Sequence, residues 1–204
     1  MEKVARKFTE FLFKNRVENN EQLEVYNYAI ALILSTFITG VSSFIINLII
    51  FTIWEAVAFL LVFSIVRAFS GGYHCSTYVA CYLITVIIGT ITIALSRTLL
   101  SLNSGISTVI LYVILSVSNT IIVYYSPSPD PKKRLTAKRF EINKRVAAIL
   151  ASLFSVSIII IRSTVNSETV NRIVYCSVLS LLSVSILLIY KKIIERRRKK
   201  CLKY

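Results

Sequence analysis

The chain has 204 residues, is 55% hydrophobic with a mean hydropathy of +0.70, and carries 24 Lys and Arg against 10 Asp and Glu, a net charge of +14. So large an apolar excess excludes an ordinary soluble domain with a solvated surface. It is compatible with the charge only if the charged residues are gathered into blocks between long apolar runs, and they are.

In chain order, the first 24 residues are charged throughout, which argues against a cleavable signal peptide. Within them Val4, Phe8, Phe11 and Leu12 fall at i, i+4, i+7 and i+8. That spacing predicts an amphipathic helix over 1–24, either lying on the membrane surface or packed on the protein's own loops. Apolar runs follow, each near the roughly 20 residues that a bilayer crossing takes. They predict six spans, at Tyr28–Leu48, Ile50–Val66, Tyr78–Ser96, Ile106–Tyr125, Val146–Ile161 and Ile173–Tyr190. The first two come from one stretch too long for a single helix, split near Asn47 and interrupted only by Glu55. The fifth is short and can extend over Lys144 and Arg145, whose long side chains reach back to the interface. Pro127, Pro129 and Pro131 stop the fourth span and open a basic loop over 126–145. A basic tail occupies 191–204. No repeat of fixed period interrupts the chain, so the expectation is a single all-α membrane domain over 1–204.

Lys and Arg accumulate on the cytoplasmic side of membrane proteins. Placing both termini in the cytoplasm puts 21 of the 24 basic residues there and leaves only Arg97, Arg162 and Arg172 outside. Of the four cysteines, Cys75, Cys81 and Cys201 then lie at or near a reducing compartment, against a disulfide framework.

One segment between the second and third spans stands apart. Residues 67–81 hold the sole histidine, His74, two of the four cysteines, Cys75 and Cys81, and the pair Gly71-Gly72. Two glycines let the backbone leave a helix, and irregular backbone at membrane depth survives only inside protein or beside water. A histidine and a cysteine there suit nucleophilic catalysis, with a thiolate attacking a carbonyl and imidazole carrying the proton. Cys75 adjoins His74 and would point away from it on a helix. Cys81 is two turns on, about 10 Å on one continuous helix, so it meets His74 only if the segment bends back. The bland alternatives are a cysteine serving as a small hydrophobe and a solvated histidine. A single histidine with a Cys-x5-Cys spacing does not make a zinc set.

The arrangement Arg67-x3-Gly71-Gly72-x-His74-x6-Cys81 resembles the signature of the AgrB family, membrane endopeptidases that process AgrD-type precursors of cyclic quorum-sensing peptides. The likeness extends over length, six spans and the Tyr125-x-Pro127-x4-Lys132-Lys133 stretch. It implies that Cys81 is the nucleophile and His74 its base, with Arg67 and Gly72 in supporting roles and Cys75 not required. It also implies an AgrD-like propeptide as substrate, a bacterial cell membrane as location, and no cofactor or nucleic-acid partner, and it leaves a homodimer open. Such precursors carry an acidic tail, for which Lys132, Lys133 and Arg134 are candidate recruiting residues. Arg67 can equally be an interfacial anchor. Asp130, the sole aspartate, can orient His74 only across loops, and Glu55 lies too far from Arg67 to join the site. The reading from another class is a transporter component or scaffold without enzymatic activity. The many Ser and Thr in its helices suit such a role, although neither inverted repeats nor a chain of intramembrane charges supports transport.

Overall fold

The computed structural model describes residue 7 and residues 20–71, 77–102, 104–128, 136–165 and 167–201. Six helices run through them: α1 (Asn20–Ile50), α2 (Ile53–Ser70), α3 (Tyr78–Leu100), α4 (Ser104–Tyr125), α5 (Ala137–Thr164) and α6 (Glu168–Cys201). Each contains a stretch long and apolar enough to cross a membrane. The six-span, all-α architecture expected from hydropathy is therefore the one that forms. The amphipathic pattern at Val4–Leu12 lies outside the described residues.

The helix ends differ from expectation in ways that local chemistry explains. The first break falls at Phe51–Thr52 rather than near Asn47. Thr52-Ile-Trp-Glu55 has the Thr-x-x-Glu pattern of a helix start, and the Glu55 carboxylate accepts from the Thr52 backbone N–H at 3.2 Å and from its hydroxyl at 2.8 Å. Asn47 instead sits inside α1, where its amide donates to the Ser43 carbonyl at 2.8 Å. Helix α5 begins at Ala137, nine residues before the apolar run starts at Val146, with Lys138, Arg139, Lys144 and Arg145 exposed along its first turns. The second half of the basic 126–145 segment is thus helical, and α6 likewise carries the basic tail on past Tyr190 to Cys201.

Cross-helix contacts give the topology. Tyr175 of α6 donates to Ser107 of α4 at 2.9 Å, and the Cys176 thiol donates to the Glu55 carbonyl of α2 at 3.4 Å. Farther along α6, Lys191 reaches the Ser128 carbonyl just beyond α4. The chain therefore runs up and down six times. The end of α2 and the starts of α3 and α5 share one face with the ends of α4 and α6.

Helix α6 is the hub, in contact with α2, α3, α4 and α5. Residues Val174 to Leu181 are buried all round it, as a helix without a lipid-facing side must be. Its partners each present a narrow seam. Ser107, Leu111, Leu115, Ser118 and Ile122 line α4, while Ala147, Ala151, Ser155 and Ile158 line α5, at steps of three and four residues. Small residues suit this role because helices gain no hydrophobic driving force from each other in lipid and must approach closely. Several hydroxyls are satisfied within their own helix: Ser180 donates to the Cys176 carbonyl at 2.7 Å, and Ser183 to the Leu179 carbonyl at 2.9 Å. Interhelical polar contacts such as Thr92 to Ser183, 2.8 Å, contribute about 0.6 kcal/mol each on average, so close packing dominates. Glycine is needed at 89, where a Cβ would come within 2.8 Å of the Phe59 ring and 2.9 Å of the Asn47 amide. Ile33, Phe37, Ile49, Trp54, Val79 and Ile87 are among the large apolar side chains left facing outward, toward lipid.

Candidate functional site

Cys81 sits in the first turn of α3. Thr77 is the N-cap, in extended conformation, and its side-chain oxygen accepts the Ala80 N–H at 3.3 Å. The Cys81 N–H donates to the Thr77 carbonyl at 3.2 Å. Because Cα–Cβ bonds tilt toward the N-terminus of a helix, the thiol leans back toward Thr77 and the segment before it. Cys81 is free and partly exposed, and at this end of α3 the first N–H groups have no acceptor within the helix. Partial positive charge is thus presented where a thiolate or oxyanion would form.

The capping of α3 at Thr77 removes a difficulty left by spacing alone. The two-turn separation of His74 and Cys81 holds only on one continuous helix, and α3 begins at Tyr78, after the histidine. His74, Cys75 and Gly72 themselves lie outside the described residues, as do Asp130, Lys132, Lys133 and Arg134.

On the other side of the segment, α2 ends as the glycine pair suggested. Gly71 has φ +74° and its N–H donates to the Arg67 carbonyl at 3.0 Å. A side chain there is strained by the backbone angle, and a Cβ would lie 2.3 Å from the Ser128 carbonyl oxygen. Ser128 follows α4, and its N–H donates to the Ser70 carbonyl at 2.9 Å. The start of the proline-rich loop, at Ser128, thereby lies directly on the exit of α2. Arg67, one turn earlier, is half-buried with its guanidinium 5.2 Å from the centre of the Phe63 ring. A cavity of about 380 Å³ opens between the ends of α4 and α6, lined by Tyr124, Tyr125, Lys192, Glu195 and Arg196.

The structure also separates what does not belong to this face. Glu55 is at the far end of α2 from Arg67, and Arg97 at the far end of α3 from Cys81. There the Arg97 guanidinium clasps the fully buried Glu55 carboxylate through Nε at 2.9 Å and Nη2 at 2.6 Å, with the Phe51 ring 4.9 Å away. Sequence reasoning left Glu55 without a named partner and used Arg97 only as an external charge. The Thr-x-x-Glu pattern was the available signal for the cap, but nothing local pointed to an arginine 42 residues on. Cys176 is buried beside this pair and serves the packing of α6.

A family model described as Accessory gene regulator B matches residues 5–203, nearly the whole chain. No curated protein and no solved structure matches it.

Proposed function

The chain belongs to the AgrB family, and from that premise we propose that it is a membrane cysteine endopeptidase that cleaves an AgrD-type propeptide and promotes closure of its (thio)lactone ring. The observation that carries the reading is Cys81, free and partly exposed in the first turn of α3, directly after the short segment that bears His74. His74 takes the thiol proton as the Cys81 sulfur attacks the scissile carbonyl, and the proton passes to the leaving amine as the C–N bond breaks. The acyl-enzyme is a thioester. A substrate thiol then attacks it, gives its proton to the base and displaces Cys81, which is reprotonated; a substrate serine would yield a lactone instead. Exchange between thioesters is nearly balanced, whereas hydrolysis runs downhill, so a site at membrane depth that limits water favours the ring. Arg67 and Gly72 support the site, the first by charge and the second by allowing the turn after Gly71.

The basic residues crowd the face that carries Cys81, which the positive-inside bias assigns to the cytoplasm of a bacterial cell, with both termini on that side. The test is incubation of full-length precursor with the protein in lipid vesicles, read by mass spectrometry. Cyclic peptide is the expected main product, and linear peptide in its place would overturn the ring-closing role.

Lys132, Lys133 and Arg134 follow Ser128 closely in the chain, and Ser128 is held against the α2 exit. This supports capture of an acidic precursor tail beside the site. Replacing all three with Glu is expected to raise KM for full-length precursor about ten-fold at low salt, with the difference shrinking above 0.15 M as the screening length drops below about 8 Å. Charge reversal in the tail should restore part of the loss. A triple variant that inserts normally and keeps its KM would restrict these charges to membrane binding, where each contributes about 1 kcal/mol.

A further inference from the structure

Lys191 is only 6% exposed, although it belongs to the last, charge-rich turns of α6. Burying an ammonium is costly unless it is hydrogen-bonded, and a methionine would cover the same surface without that cost. Its Nζ donates to the Ser128 carbonyl at 2.5 Å, and Ser128 in turn donates its N–H to the Ser70 carbonyl at 2.9 Å. One residue beyond Ser70, Gly71 turns the chain out of α2 at φ +74°, beneath the same Ser128 carbonyl. The last transmembrane helix, the proline loop and the exit of α2 are thus tied at a single point.

We propose that Lys191 is a positioning residue for catalysis, holding Ser128 on the Ser70–Gly71 exit and thereby fixing where the His74 segment leaves α2. This rests on the reading of His74 and Cys81 as base and nucleophile. The segment is anchored at Gly71 and at Thr77, six residues apart. His74 is three residues from each anchor, so it lies within about 11 Å of both. The proposal requires that a shift of the Gly71 anchor reach the imidazole, and a displacement of about 1 Å costs on the order of 100-fold in rate at a reacting centre. Lys191 acts through the backbone and does not touch substrate.

The experiment compares wild type, Lys191→Met, Lys191→Arg and His74→Ala in lipid vesicles. It reads kcat and KM for precursor, thermal unfolding, and the rate at which a thiol probe labels Cys81 in a background lacking Cys75, Cys176 and Cys201. Lys191→Met is expected to lower kcat about 10- to 100-fold with KM within about two-fold, and to slow Cys81 labelling toward the His74→Ala rate, with the unfolding midpoint unchanged. Lys191→Arg, which keeps a donor, should recover part of kcat. Unchanged kcat, or a loss that follows the amount of folded protein while His74-dependent labelling persists, overturns the positioning role. If His74→Ala itself leaves labelling unchanged, the base–nucleophile reading fails and the positioning role falls with it. Should Lys191→Met not accumulate, Ser128→Pro removes the N–H bond to Ser70 by an independent route. It is expected to lower kcat in the same way, and normal kcat in that variant would overturn the proposal.

Discussion

Cys81→Ala is expected to abolish precursor cleavage, lowering the initial rate by about 10³-fold or more, because the proposed acyl-enzyme forms on its sulfur. Cys75→Ala, in contrast, should keep most of the wild-type rate. The two residues are six apart, and spacing favours Cys81, provided that the chain bends back to bring His74 over it. Cys81 is held by the first turn of α3, where the helix N-terminus presents partial positive charge that would stabilise a thiolate. Both variants should retain six-helix circular dichroism and insert normally, and rates are to be compared at equal amounts of inserted protein. A dead Cys75→Ala with an active Cys81→Ala would reverse the assignment.

Arg97→Met is expected to be the most destabilising single substitution on the opposite face, by about 3 kcal/mol, the lower end of the range for breaking a buried pair. The Glu55 side chain is 0% exposed, whereas that of Arg97 is 37% exposed. Removing the arginine therefore strands a carboxylate that, among the described residues, keeps its two Thr52 donors alone. Glu55→Gln leaves a guanidinium that can reach water, and its cost should be nearer 1 kcal/mol. Unfolding in mixed detergent micelles measures both, and equal losses would show that the asymmetry in burial does not govern the pair. Since this pair and Cys81 occupy opposite ends of α3, the folded fraction of Arg97→Met should cleave precursor with near-normal kcat.

Taken together these substitutions trace where chain-local information stops. The six spans were legible because a bilayer crossing demands some twenty apolar residues in a row, a requirement of the segment and not of its neighbours. The end of α2 was legible for a similar reason, since the Gly71-Gly72 pair marks an exit that a side chain would strain. Helix starts were partly legible: Thr52-Ile-Trp-Glu55 carried a capping pattern, yet the uniform hydropathy from Val25 onward drew the break toward the polar Asn47. The early start of α5 escaped because charged residues such as Lys138 and Arg139 are good helix formers outside the apolar core, where hydropathy says nothing.

By itself, then, the sequence determined the number and approximate extent of the spans, the crowding of basic charge into a few segments, and the one stretch that joins a histidine to cysteines. Only the tertiary structure decided that α6 is the hub, that Glu55 pairs with Arg97, and that Ser70, Gly71, Ser128 and Lys191 converge beside the segment bearing His74. The reason is physical. Hydropathy reports each helix's exchange with lipid, which is additive along the chain, but every helix is apolar enough to face lipid on any side. Which sides meet is settled by close packing of small seams and by a few buried polar groups whose partners lie 42 to 121 residues away.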